Sequence, residues 1–324
     1  MRIVTLEEHF TTPEVLRATE HLRPAPTGRM AQLQPMLLDL GENRIAAMDA
    51  GGIEMQVLSL NVSELDKLSP ADETLIARDV NDRLAEAVRA YPDRFAGFGT
   101  LGLLEPHQAG RELERVTRQL GFPGAMINGT VNGVFLDDAR FTPFWEAANA
   151  LEVPIYLHPA PPPAAVQQAY YSGLQGDLGN MLSIAGWGWH TELGLHVLRL
   201  IVSGLFDRFP ALRIIIGHMG EDLPFSLVRA ATVLQHAASK YLEQPVEDYF
   251  HRHFWVTTSG YFTLPPFRCA QEVVGLDRLL FSIDYPYSSN ERGRAFLDSL
   301  PLSGDEREAF AHGNADHLLG LVAQ

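Results

Sequence analysis

The chain is poor in cysteine and in positive charge, and it has no long apolar run. Cys269 is the only cysteine among 324 residues, which excludes an internal disulfide and a cysteine-built zinc site. Against 40 acidic residues stand 25 basic ones, a net charge of −15. A surface that negative repels phosphate backbones and anionic lipid, so nucleic-acid and membrane-surface partners drop out. No stretch of about 18 apolar residues occurs, so no segment reads as membrane-spanning. The start, MRIVTLEEHF, puts Glu7 and Glu8 where a signal peptide needs uninterrupted apolar residues. A reducing, cytoplasmic location is the expectation. Also missing are a glycine-rich nucleotide loop after the first strand and a Gly-x-Ser-x-Gly nucleophile elbow.

What is present is a core-forming composition, 46% hydrophobic, and a regular alternation of two periodicities. Short β-branched and aromatic runs occur at Ile3 to Leu6, Met55 to Leu60, Phe95 to Thr100 and Gly124 to Ile127. Four more follow at Pro154 to Leu157, Arg213 to Ile216, Phe254 to Thr257 and Leu279 to Ser282. Amphipathic helical stretches separate them, at Glu42 to Ala50, Asp72 to Tyr91, His107 to Leu120, Phe141 to Leu151 and Thr191 to Phe209. The later ones run from Pro224 to Tyr241, Pro266 to Val274 and Glu306 to Leu321. Strand then helix, eight times over, predicts an α/β protein of (β/α)8 TIM-barrel type, with a doubly wound open sheet as the alternative. At about 150 residues per domain the length would suggest two, but closed barrels run this long as one, and a single domain over 1–324 is expected. Arg23 to Leu37 and Pro159 to Gly188, both rich in Pro and Gly, read as loop excursions over the barrel mouth.

Ionisable residues close several of the strands. Glu7 and His9 end the first, His158 the fifth, His218 the sixth and Asp284 the eighth. Barrel geometry gathers such positions around one mouth although they run from 7 to 284 in sequence. Side chains at i and i+2 share a strand face, so Glu7 and His9 point together while Glu8 points away. A lone His at a strand end is more often a hydrogen-bonded structural residue than a ligand. Four such residues at the same end of four strands require four coincidences under that reading. The set Glu7, His9, His158 and Asp284 reads as an N/O site for one divalent metal, zinc by default, with manganese or iron as alternatives because carboxylates suit harder ions. Glu221 follows His218 at three residues; it either orients that imidazole as an acid/base pair or is a helix-start acid. The remaining histidines read as solvated or structural, although His190, in a mouth stretch, could reach a ligand. Trp187 and Trp189 could form an apolar lid or pack in the core.

The motifs resemble those of the amidohydrolase superfamily, in the branch of the gamma-resorcylate, 2,3-dihydroxybenzoate and 5-carboxyvanillate decarboxylases. The resemblance runs through LEEHF at 6–10, MDAGGIEMQVLSLN at 48–61, YPDRFAGFGTL at 91–101 and GFPGAMING at 121–129. It continues through VPIYLHP at 153–159, GLFDRFPALRIIIGHMGE at 204–221, TTSGYF at 257–262, LLFSIDYPY at 279–287 and HGNADHLLGL at 312–321. It implies Glu7, His9, His158 and Asp284 as metal ligands and Asp284, His218 and Glu221 as catalytic groups. Arg229, Asn128 and Tyr285 are implied as substrate-binding, and a homo-oligomer, dimer or tetramer, is implied as the assembly. Ala160 and Pro161 stand where the family commonly has arginine and asparagine, Ser288 where it has an acid, and His317 where it has a basic residue. The implied reaction is metal-dependent, non-oxidative decarboxylation of a hydroxylated aromatic acid. The alternatives are hydrolysis of a small amide, lactone or cyclic substrate by the same metal, and a non-catalytic binding barrel.

Overall fold

The computed structural model describes residues 1–22, 25–60 and 64–321. Eight parallel strands pair in chain order: β1 (Val4–Phe10), β2 (Met55–Leu60), β3 (Phe95–Thr100), β4 (Gly124–Asn128), β5 (Pro154–His158), β6 (Arg213–Ile216), β7 (Phe254–Thr257) and β8 (Leu279–Leu280). A parallel bridge between Leu6 and Ser282 brings β8 back to β1, so the sheet closes into a (β/α)8 barrel.

Strand alternation sorts the apolar side chains into two cores. Val4, Leu6, Val57, Phe98, Tyr156 and Ile215 fill the barrel interior. The alternate residues, such as Leu58, Ile127, Leu157 and Ile216, pack outward against the helices. The helix Asn314–Leu319 plugs the lower end with Ala315, Leu318 and Leu319, and Arg2 pairs with Asp316 to pin the first strand to it.

Several elements depart from the sequence reading. Residues Gly28–Leu38 form a helix rather than an open loop, with Pro35 inside it, because Leu33 and Leu37 at i and i+4 find an apolar partner. Arg23 and Pro24 of that excursion, and Asn61 of the 48–61 motif, lie outside the described residues. The mouth excursion of 159–188 carries two short helices, Ala164–Tyr170 and Leu178–Ser183. The expected helix Thr191 to Phe209 divides at Gly204, whose φ of 72° ends one helical run before Leu205–Arg208 begins another. Helices at Val246–His253 and Asn290–Ser299 had no counterpart in the reading. No helix among the described residues is long and apolar enough to cross a membrane.

Candidate active site

The site begins with an irregularity in β1. Val4 and Leu6 face the barrel interior, so strict alternation would turn Glu8 inward and send Glu7 and His9 outward. The pairing of β1 with β2 shifts between Thr5 and Glu8, leaving one extra residue in β1, and Glu7 takes a left-handed φ of 60°. This bulge reverses the parity of the strand. Glu7 and His9 therefore both reach the mouth. Glu8 turns into the wall and accepts the backbone N–H groups of Ile283 at 2.9 Å and Tyr285 at 3.1 Å.

A hydroxyl network holds Glu7 from beneath. Tyr156, two residues before His158 and on the same face of β5, donates to Glu7 Oε2, as does Ser259. Thr257 Oγ1 lies 2.8 Å from the Tyr156 hydroxyl and 2.6 Å from Ser259 Oγ, completing the network. Gly217 is required beside it: a Cβ there would stand 2.5 Å from Glu7 Oε2 and 3.0 Å from the Tyr156 hydroxyl. With Oε2 so occupied, Oε1 is left free of hydrogen bonds. It faces His158 Nε2 at 3.3 Å, His218 Nε2 at 3.4 Å and His9 Nε2 at 4.0 Å. Asp284 closes the ring, its Oδ1 3.3 Å from His9 Nε2, while Ser59 Oγ sits 3.3 Å from His9 Nδ1 and orients that imidazole.

Buried atoms of opposite character thus converge on one point without hydrogen-bonding each other, His9 Nε2 and Glu7 Oε1 among them. Ligands about 2.0–2.2 Å from a small divalent ion stand about 3–3.5 Å from one another, so the spacing fits a metal. A neighbouring trio does not. Glu221 approaches His218 Nδ1 at 2.6 Å and His190 Nδ1 at 2.5 Å, direct hydrogen bonds that leave no room for an ion between them.

The charges reinforce one another. Burial alone would raise the Glu7 carboxyl, but His218 and then His158 and His9 outweigh it and hold Glu7 at about 2. Burial alone would lower the His218 imidazole, but Glu221 and then Glu7 push it up to about 10. The cavity calls for positive charge at its centre, which protons or a divalent cation can supply.

Of the residues singled out in the sequence, Glu7, His9, His158, His218, Glu221 and Asp284 come together. Asn128 ends β4 in register with His158. Tyr285 does not fit its expected role. It is 5% exposed, its ring lies 4.9 Å from the buried guanidinium of Arg44, and Arg44 also donates to the His9 carbonyl. Tyr287, two residues on, holds its ring 5.8 Å from His9 instead. Arg229 is exposed on the helix Leu223–Ala238, and no hydrogen bond or ion pair joins it to another described residue. The reading missed Tyr156, Thr257, Ser259 and Arg44. The first three were accessible through i, i+2 parity from His158 and within the TTSG motif.

The amidohydrolase family profile matches residues 37–321. The chain belongs to that family. It is 38% identical to a gamma-resorcylate decarboxylase of Polaromonas sp. over 98% of both chains. Among solved structures, a dihydroxybenzoic acid decarboxylase from Polaromonas sp. with bound manganese and 2-nitroresorcinol superposes with a TM-score of 0.90 at 36% identity, covering 100% of this chain and 98% of that one. A 5-carboxyvanillate decarboxylase from Novosphingobium aromaticivorans, with manganese and 4-hydroxy-3-methoxy-5-nitrobenzoic acid, gives 0.92 at 33%, covering 99% and 96%. Both hold manganese, so zinc loses its place as the default metal.

Proposed function

We propose that this amidohydrolase barrel is a carboxy-lyase that removes CO2 non-oxidatively from a hydroxylated benzoate, using one divalent metal. The observation that carries the reading is the meeting at Glu7 of two ligand trios, one with His9 and Asp284 and one with His158 and His218, in a chain alike over its whole length to decarboxylases of such acids. Glu7, His9, His158 and Asp284 would hold the ion; manganese is the first choice, with zinc and iron as alternatives. When bound, the metal would neutralise the negative charge of the substrate carboxylate and adjacent phenolate.

The chain's own groups account for the rest. Loss of CO2 from an aromatic ring first requires a proton at the carbon that bears the carboxylate, because an aryl carbanion is too unstable. Asp284, 19% exposed at the open side of the cluster, delivers that proton from its carboxyl group. The C–CO2 bond then breaks, its electron pair restores the aromatic ring, and Asp284 is left as a carboxylate to be reprotonated. His218 Nε2 faces the same space and manages the phenol proton, with its Nδ1 anchored on Glu221. Trp189 and Tyr287 bring aromatic faces to the mouth, the former 6.3 Å from His158. Arg229, exposed on the helix Leu223–Ala238, is the residue proposed to hold the substrate's anionic group. Exposed Phe225, Val228 and Val233 on its helix support the homo-oligomer, dimer or tetramer, that the family resemblance implies.

The test is turnover in heavy water. Manganese-loaded protein is incubated with a panel of ortho-hydroxybenzoates, with small lactones and amides in parallel, and zinc-loaded protein is compared. The expected result is CO2 release, with deuterium at the vacated ring position. Hydrolysis of a lactone or amide with no decarboxylation across the panel would overturn the assignment.

A further inference from the structure

His190 is 4% exposed in the first turn of the helix Gly188–Val202, and the proposed reaction gives it no role. Its ring centroid is 4.9 Å from that of His218. Glu221 lies between them, Oε2 at 2.5 Å from His190 Nδ1 and Oε1 at 2.6 Å from His218 Nδ1, so one carboxylate bridges two imidazoles.

The position of the His190 proton follows from its neighbours. An indole N–H can only donate, and Trp189 Nε1 stands 3.1 Å from His190 Nε2. Nε2 therefore accepts and the ring proton sits on Nδ1, the atom that faces Glu221. The Ala185 carbonyl is also within 3.2 Å of Nε2. Bonding to it would protonate Nε2, yet Nδ1 would still need its own proton, since a bare nitrogen cannot sit 2.5 Å from a carboxylate oxygen. In every state this geometry allows, His190 donates to Glu221.

We propose that His190 is a positioning residue for the Glu221–His218 pair. Glu221 lies in a left-handed turn, φ 54°, and is 2% exposed, so no regular helix fixes its side chain and bulk solvent does not reach its second oxygen. The His190 N–H binds that oxygen, which keeps the other on His218 Nδ1 and His218 Nε2 aimed at the mouth. Trp189 holds the His190 ring in register. In this role His190 acts through Glu221 and His218 alone.

This rests on His218 as the acid/base residue, and the experiment separates the two ideas. An asparagine side chain can place an amide N–H near the Nδ1 position, whereas alanine cannot. In His190→Ala, kcat is expected to fall about tenfold or more through loss of a hydrogen bond to a buried charge. KM and manganese affinity, the latter read by metal titration, should stay within about threefold. His190→Asn should recover most of kcat. In zinc-loaded protein with 15N-labelled histidine, wild type should show two far-downfield Nδ1–H protons. His190→Asn should remove one and keep that of His218, and His190→Ala should broaden or lose both.

Unchanged kcat in His190→Ala, equal impairment of the two variants, or manganese affinity falling in step with kcat would overturn the proposal. So would a His190 ring found unprotonated at Nδ1. Wild type inactive on every hydroxybenzoate but showing both resonances would overturn the decarboxylase reading and support the bridge.

Discussion

At the lower end of the barrel the chain packs as an ordinary core: Ala315, Leu318 and Leu319 meet Val4 and the other interior residues, and Asp316, paired with Arg2 and His312, ties its edge. At the mouth, carboxylates and imidazoles are buried together. Nine non-glycine residues among those described have positive φ, and seven fall in the segments that build the cluster: Glu7, His218, Met219, Glu221, Asp222, Ser259 and Asp284. Each such residue costs on the order of 1–3 kcal/mol, so strain accumulates mainly at the mouth, with Glu152 before β5 the exception at the lower end. The contrast shows where each kind of selection acts. The lower end maximises packing, and the mouth gives up stability to hold charges where hydrogen bonding alone would not keep them.

The largest break in this contrast should come at its node. Glu7→Gln keeps the shape and an acceptor for Tyr156 and Ser259 but removes the charge that faces three imidazoles. Outer partners of metal ligands are worth about 10–100-fold, so the ligand itself should cost more than about a hundredfold in both manganese affinity and kcat/KM. Melting in chelator should be somewhat lower, because a Glu7 carboxyl held at about 2 by the facing imidazoles stabilises the fold near neutral pH and the amide cannot. Manganese affinity equal to wild type would show that Glu7 is not a ligand. Gly217→Ala comes next. It displaces the Glu7 carboxylate without replacing a ligand, and a manganese titration should show affinity about 10–100-fold weaker in a protein with native circular dichroism.

Glu8 sharpens the comparison within a single strand. Burial, only partly offset by the Ile283 and Tyr285 N–H groups, pushes its carboxyl up to about 8, against an ordinary 4.5. Between those values the native state binds more protons than the unfolded chain, so this group's contribution to stability falls as pH rises through the window. Glu8→Gln loses an acceptor and has no proton to bind. It should therefore be destabilising near pH 5 and less so, or not at all, above pH 8, as read from denaturant melts at both. Identical losses at both pH values would contradict the raised carboxyl. Least should happen at the lower end: Asp316→Ala removes a partly buried pair with Arg2 and the contact with His312, costs about 1–2 kcal/mol, and should leave kcat unchanged.

Much of the barrel was legible because its signals are local. Six of the eight strands start where the hydrophobic runs place them and end at or within one residue of them; β1 extends further and β8 stops sooner. The strand-end histidines and acids were legible for the same reason. Misreadings arose where local signals mislead. Pro26, Gly28 and Pro35 punctuate a segment that is nevertheless helical, and the closing helix contains a π turn at Ala309–Gly313 that no hydrophobic period announces. The Asp-Tyr-Pro-Tyr motif named Tyr285, but the chain turns that ring onto Arg44 and gives Tyr287 to the mouth.

By itself the sequence determined the order and periodicity of the strands and helices, the net charge, and which strands end in residues able to bind a metal. These depend on spacings of two to four residues, which a chain expresses locally. Tertiary structure decided the rest. The Glu7–His9 pair reaches the mouth because a bulge reverses the parity that Val4 and Leu6 set, and register is a property of two strands, not one. Tyr156, Ser259 and Gly217 shape the Glu7 carboxylate from three other strand ends. His190 meets Glu221 only because a long mouth excursion returns its helix beside the turn after β6. Closure of the barrel creates these contacts between residues far apart in the chain, and no local pattern encodes their distances.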